Sequence, residues 1–532
     1  MRKMVVLGLD CATFKLLNPW IRQGKLPNFK KLMKEGSYGI LKSTLPPTTP
    51  VAWPSFFTGV NPGKHGVFGF TKLTSDYKMK VCLGDDVRAL PIWDVIGRLK
   101  GKTALINLPM IYPPRKINGV MITGLETPSE FSEYTYPKRL KQDLRKIVGK
   151  KYLIHPLPYR GDNEEEFLRS INETLEMRFK LIDYYMKKRF DLIVSIIAGT
   201  DKVTHGLWKY IDKTSPLFSK VGSKKWLGRI IEYYQHIDRL LGGLMSKLGN
   251  DYSLIIVSDH GGDKIVMNFN PSEWLRRKGL LVLKKRKKQK SFFFISMKKA
   301  NAIAKFFEEH GMSWVKRLAK TVVPWRTMFV GGKEKITLDE IKWGKTKVFV
   351  TPEGSMYINS KDRFKQGIVG EKEYYALRKN IVKDLKNLRG PNGEKFKVIV
   401  KERESVYKGP YTKEAPDIIY FINNVEHHSN KGVLWRMVSG TEVSGGHSMD
   451  GVFFAYGKDI VKNRKVRNAR IIDVAPTILY LMGLPVPEEM DGRILNIFKA
   501  RRGKKDSRKT FKNVKVGQDK EVIVEVVKDL EI

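Results

Sequence analysis

Cysteine is almost missing from this chain, with only Cys11 and Cys82 among 532 residues. A disulfide framework is thereby excluded, and neither cysteine belongs to a paired metal-binding motif, so a metal here would have to be held by histidine and carboxylate. Long apolar runs are missing too: no uncharged stretch approaches the ~18 residues of a membrane-spanning helix. The opening Met1-Arg2-Lys3-Met4-Val5-Val6-Leu7-Gly8-Leu9-Asp10 is basic and then apolar. Its apolar part is too short for a secretory signal and ends in an acid, so it reads as the first strand of a cytoplasmic protein. A phosphate loop is also lacking. Gly59-Val60-Asn61-Pro62-Gly63-Lys64-His65-Gly66 imitates one, but its spacing is one residue short and His65 stands where Ser or Thr would meet magnesium. Acidic residues are scarce: 55 Asp and Glu face 99 Lys and Arg, a formal charge of +44. Such a balance favours polyanions, acidic lipid surfaces or phosphorylated substrates as partners. A Lys-rich surface adapted to salt or heat gives the same balance, and the basic residues are spread along the whole chain.

What the chain does contain is an alternation of apolar runs and helical patterns. Strand-like runs occur near 38–41, 103–108, 190–197 and 253–257, with helical patterns at 26–35, 91–99 and 163–189 between them. This alternation predicts an α/β fold with a large, mainly parallel sheet flanked by helices. Parallel sheets carry their chemistry at the carboxyl ends of the strands. Asp10 lies at such an end, Asp201 follows the run Leu192–Ile197, and Asp259-His260 closes Ser253-Leu254-Ile255-Ile256-Val257-Ser258. Asp201 and His205 are four residues apart, so in the first turn of a helix they share a face and can converge on one ion; the plain alternative is a solvated pair.

Thr49 directly precedes Pro50, the grammar of a helix start with threonine as N-cap and proline as first helical residue. A hydroxyl there faces the positive end of a helix, where phosphate is stabilised. His447, between Gly446 and Ser448, reads as a ligand on a glycine-flanked loop before the strand-like run 452–457. Further strand-like runs at 347–351, 396–400 and 417–421, with helices at 371–388 and 473–483, resume the core pattern. Between them and the first half, Lys284-Lys285-Arg286-Lys287-Lys288-Gln289-Lys290 opens a basic segment with a helical stretch at 297–318. The division expected is a first core part at 1–283, a basic helical insertion or cap at 284–335, a second core part at 336–499 and a charged tail at 500–532. The insertion reads either as a solvated basic lid or as an arm for an anionic membrane or nucleic acid.

Gly8-Leu9-Asp10, the segment from Thr49 through Thr58-Gly59 to His65-Gly66, Asp201-x-x-x-His205, Ser258-Asp259-His260-Gly261, Gly446-His447 and Asp473-x-Ala475-Pro476-Thr477 together resemble the alkaline phosphatase superfamily, most closely its type I phosphodiesterase and nucleotide pyrophosphatase branch. The resemblance implies an alkaline phosphatase-like core and two divalent metal ions. Asp10, Thr49, Asp259 and His260 would hold one, and Asp201, His205 and His447 the other, with zinc or manganese suited to such donors. It implies hydrolysis of phosphoric esters, foremost phosphodiesters or nucleotides, through a phospho-threonine on Thr49. Thr48 is a rival by proximity, but Thr49 falls at the family's distance from Thr58-Gly59. The branch's asparagine shortly after the His-Gly landmark is missing, since the chain reads His65-Gly66-Val67-Phe68-Gly69-Phe70, which leaves nucleotide specificity open. Two other readings use the same residues differently: a phosphomonoesterase or phosphotransferase, and a polyanion- or lipid-binding protein with a structural metal site.

Overall fold

The strands Tyr252–Val257, Lys3–Leu9 and Leu192–Ile197 lie side by side and parallel, each buried on both faces. That burial is why they appear in the sequence as continuous apolar runs rather than alternating ones. In the computed structural model, which describes residues 1–284, 337–426 and 437–498, they form the middle of a nine-stranded sheet. Thr103–Leu108 and Gly119–Thr123 extend it in parallel on one side, and the two-residue strand Thr135–Tyr136 closes that edge antiparallel. On the other side Asp450–Tyr456 runs antiparallel between Tyr252–Val257 and Ser37–Lys42, and Arg464–Arg470 completes the sheet.

Alternate residues of each central strand feed two separate cores. Val5, Leu7 and Leu9 pack with residues of the long helices Glu164–Lys187 and Lys220–Lys247. Met4 and Val6 pack instead against Trp53 and Phe56 of the helix Thr49–Thr58 and Ile478 of Val474–Met482. Gly8 makes the second arrangement feasible. A Cβ on it would lie 2.5 Å from the Trp53 ring and 2.3 Å from Ile196, so the absence of a side chain lets the Thr49–Thr58 helix settle on the strand just before Asp10.

The segments from 347 onward that repeat the core pattern build a sheet of their own. Val348–Val350, Met356–Ile358, Ile418–Ile422 and Val398–Glu402 pair antiparallel around Phe349, Ile358 and Ile422, with the helix Glu371–Lys386 contributing Ile381 and Leu385. Arg88 ties this unit to the main body by gripping both carboxylate oxygens of Glu414 while stacking on Tyr411. The basic insertion at 284–335 and the tail at 500–532 lie outside the described residues, apart from Lys284. Among the described residues no helix is long and apolar enough to cross a membrane.

Candidate active site

Because three neighbouring parallel strands end at one level, their following residues meet. Asp10 follows Lys3–Leu9, Asp259 and His260 follow Tyr252–Val257, and Asp201 lies in the first turn of the helix Gly199–Leu207. His205 is one turn further along that helix, its Nε2 3.2 Å from Asp201 Oδ1. His447 arrives from the far end of the chain. It does not sit on a loose loop, as its glycine neighbours suggest, but on the strand Gly445–Ser448, which pairs antiparallel with Gly261–Lys264 and sets His447 opposite Gly262. Glycine is required at 261, where a Cβ would stand 2.0 Å from the Asp450 carbonyl. The ladder gives His447 a fixed position that the sequence pattern does not reveal.

The donors form two clusters that share His260. Ligand atoms of Asp10, Asp259 and His260 lie within 4.8 Å of one another, as do those of Asp201, His260 and His447. In the first cluster His260 Nε2 is 3.1 Å from Asp259 Oδ2 and 3.8 Å from Asp10 Oδ1. In the second, the Nε2 atoms of His205 and His447 face each other at 3.0 Å. His205 Nδ1 bonds to the Gly445 carbonyl and His447 Nδ1 to the Pro47 carbonyl. Carbonyls only accept, so both Nδ1 atoms carry a proton, and both Nε2 atoms, the lone-pair positions of the neutral rings, face one spot beside Asp201. Asp10 Oδ1, Asp201 Oδ1 and Asp259 Oδ2 are buried without a hydrogen-bond donor. Converging lone pairs and undonated carboxylate oxygens are what a divalent cation satisfies, and the residues fit one.

The electrostatics point the same way. Burial, then the neighbouring Asp259 and Asp201 charges, push Asp10 well above the usual carboxylate range. Burial likewise pushes Asp259 up to about 7. For Asp201 burial acts upward too, but His205 and Lys202 outweigh it and hold the group well below its ordinary value. Burial and the His447 charge keep His260 neutral, far below its usual range. Buried acids pressed together without a counter-charge are costly unless a cation joins them.

Thr49 is buried, with Oγ1 3.3 Å from His260 Nε2. Its place in the helix differs by one residue from the sequence reading. Thr48, with φ −130° and ψ 140°, is the N-cap, Thr49 is the first helical residue and Pro50 the second. The Thr48 carbonyl takes the first helical bonds, from Val51 and Ala52, which leaves the Thr49 hydroxyl free of capping duty at the positive end of the helix. Thr48 Oγ1 is buried without a partner, and Thr48 lines a smaller pocket with Phe68, Tyr407, His205 and His447 but none of the ligand carboxylates. Thr49 instead lines a cavity of about 1110 Å³ together with Asp10, Asp201, His205 and His447.

The same cavity is lined by residues that the sequence reading passed over: Asn107, Arg178, Lys202 and Lys209. One signal for Arg178 was available. Ile171, Leu175, Arg178, Ile182 and Tyr185 recur at helical spacing and all are buried, so an arginine occupies a core position of an apolar stripe.

A fold with chemistry at its strand ends, a threonine at a helix start and two Asp/His clusters defines a phosphoric-ester hydrolase of the alkaline phosphatase superfamily. The sequence pattern of one family, type I phosphodiesterase / nucleotide pyrophosphatase, matches residues 4–426, and the chain belongs to that family. No curated protein sequence matches it. Among solved structures, human ectonucleotide pyrophosphatase/phosphodiesterase 5 is similar at 16% identity and TM-score 0.46, covering 93% of this chain and 100% of its own. The murine counterpart, an inactive form in complex with AMP, is similar at 14% identity and TM-score 0.46, over 92% and 96%. Phosphonoacetate hydrolase from Sinorhizobium meliloti, in complex with phosphonoacetate, is similar at 14% identity and TM-score 0.49, over 91% and 95%.

Proposed function

We propose that this protein is a metal-dependent phosphodiesterase in which Thr49 is the nucleophile and the two Asp/His clusters hold a pair of divalent cations, zinc or manganese. The observation that carries the reading is the Thr49 hydroxyl, freed from capping and 3.3 Å from His260 Nε2 at the junction of both clusters. Asp10, Asp259 and His260 would hold one ion with Thr49, and Asp201, His205 and His447 the other. Bound there, the cations would supply Lewis acidity that favours loss of the threonine proton and offsets charge on the phosphoryl oxygens.

The rest of the step belongs to the chain. The helix start directs Thr49 Oγ1 toward the cavity and favours an anion next to it. Oγ1 bonds to phosphorus as the bond to the leaving alcohol breaks in line, giving a phospho-threonine, and water then cleaves the P–O bond to regenerate the hydroxyl. The Gly445 and Pro47 carbonyls keep His205 and His447 in one tautomer throughout. With zinc or manganese added, the protein should hydrolyse bis-p-nitrophenyl phosphate, and Thr49→Ala should cut turnover by about 10³-fold or more while the far-UV circular dichroism stays the same. Unreduced turnover in that variant removes Thr49 from the mechanism. A faster rate on p-nitrophenyl phosphate than on the diester would replace the diesterase with a monoesterase.

A further inference from the structure

Among the described residues, Arg178 is a buried cation with no carboxylate paired to it. It is 3% exposed, in the middle of the long helix Glu164–Lys187. Its Nη2 donates to the carbonyls of Leu153 and Ile154 at 2.8 and 2.9 Å, and the guanidinium lies over the Tyr152 ring. Nη1 has no acceptor, although it is buried. Burial pulls the guanidinium's pKa down, and only tyrosines act against it. The other buried arginine of this kind, Arg378, shows what a structural guanidinium looks like here: Glu402 at 3.0 Å and Glu404 at 2.7 Å neutralise it. An unneutralised guanidinium is expensive to bury, and leucine or methionine would fill the apolar stripe at less cost.

The location gives Arg178 a use. It lines the 1110 Å³ cavity on which Thr49 opens, and Lys202, Lys209 and Arg160 line it too. Among the described residues only Asp10, Asp201 and Glu442 bring carboxylates to that lining, the first two belonging to the metal-ligand clusters, while Glu164 faces Lys209 from behind Tyr159 and Tyr210. Lys202 stands between the two regions, its Nζ 3.2 Å from Asp201 Oδ2. Lys209 is placed by the rings of Tyr159 and Tyr210, at 5.3 and 5.0 Å. His155, on the same wall, is held below its ordinary pKa by burial and by the Arg178 and Lys202 charges together, so both cations act on one region of the cavity. Asn107, forced to φ 57°, accepts the Tyr152 hydroxyl and donates to Ile154, which fixes the aromatic ring under the guanidinium.

We propose that this wall is an anion subsite for a second, non-reacting phosphate group of the substrate, with Arg178 as its anchor and Lys209 as an outer contact. The natural substrate is then a phosphodiester that carries a further phosphate on one of its two halves. This deepens the hydrolase reading and rests on it for the identity of the reacting group. A guanidinium with a free N–H edge matches a phosphate's oxygens, whereas an uncharged alcohol would leave the charge unanswered.

Two measurements test it. The first is calorimetric titration of EDTA-treated protein with inorganic pyrophosphate, where the bare carboxylates of the metal-ligand clusters repel the probe and the Arg178 and Lys209 variants separate the cationic wall from the rest of the basic surface. Wild type should bind, Arg178→Met should weaken binding at least tenfold, Arg178→Lys should recover part of it, and Lys209→Ala should weaken it about threefold. Absence of binding by wild type overturns the subsite. If Arg178→Met does not fold, Lys209→Ala decides, and unchanged affinity in it does the same. The second measurement compares kcat/KM on the dinucleotide TpT and its 5′-phosphorylated form pTpT. The preference for pTpT should be at least tenfold in wild type, carried by KM, and should shrink toward one in Arg178→Met; equal rates in wild type overturn the subsite. Failure to hydrolyse any diester, bis-p-nitrophenyl phosphate included, defeats the hydrolase reading, and pyrophosphate binding still decides the subsite.

Discussion

The two proposed ligand clusters are built on opposite principles. Asp10, Asp259 and His260 form a floor: all three are buried, their acids are raised first by burial and then by neighbouring carboxylates, Asp259 and Asp201 for Asp10 and Asp201 for Asp259, and no solvent reaches Asp259 or His260. Asp201, His205 and His447 form a wall with two imidazoles that are only partly buried and are clamped by main-chain carbonyls. In the floor the protein accepts an electrostatic debt that a cation would settle; in the wall it uses backbone carbonyls to aim two imidazole nitrogens. The floor should therefore depend on its metal for stability as well as chemistry, and the wall for chemistry alone.

The largest test of that contrast is kinetic. Asp259→Asn should lower turnover of bis-p-nitrophenyl phosphate by about 10³-fold or more, with one equivalent of metal lost from the isolated protein by mass spectrometry or atomic absorption. His447→Ala should cost about 100-fold, and millimolar added metal should restore part of it; no restoration would erase the distinction. A thermal test sharpens the same point. With EDTA present, Asp259→Asn should melt higher than wild type, by about 2–4 °C, because it replaces a fully buried carboxylate, whose charge burial and Asp201 both disfavour, with a neutral amide. With metal bound, the order should reverse, since a ligand that binds only the folded state stabilises it. His447→Ala should show no such crossing.

A further test separates the clusters from ordinary buried histidine chemistry. His65 is fully buried, bonded to Ser55 Oγ at 2.9 Å, with Nδ1 accepting from the Val67 amide. Burial lowers its pKa from 6.5 to about 3. Below pH 6.5 the unfolded chain takes up a proton that the folded protein refuses, so stability is intact above 6.5 and falls toward pH 3, by up to about 1.4 kcal/mol per pH unit. His65→Asn, which keeps an acceptor for the Val67 amide, should flatten that acid limb in urea titrations made with EDTA.

What could be read from the residues alone follows from the range of the interactions concerned. Parallel strands buried on both faces appear as unbroken apolar runs, so Asp10, Asp201 and Asp259 could be placed at strand ends, and the Asp201–His205 spacing already put both on one helix face. His447 could be picked out as a donor but not as part of a strand, because the pairing that holds it joins residues 261–264 to 445–448. The antiparallel sheet of Val348–Val350, Met356–Ile358, Ile418–Ile422 and Val398–Glu402 was hidden for the same reason. The start of the Thr49 helix was off by one since Thr48 and Thr49 are chemically equal as caps, and only the backbone angles of Thr48 separate them. Arg178 was hidden in plain view, as the exception in a stripe that was read for its apolar members.

The strand Asp450–Tyr456 occupies the gap between Ser37–Lys42 and Tyr252–Val257, so a late segment is stitched into a sheet begun by strands within the first fifty residues. During synthesis that seam stays open until residue 456 has left the ribosome. A truncated product ending at 426 would keep Thr49 and the floor acids yet lack His447 and a central strand, leaving an unzipped sheet exposed to sticky edge-to-edge association in place of a hydrolase.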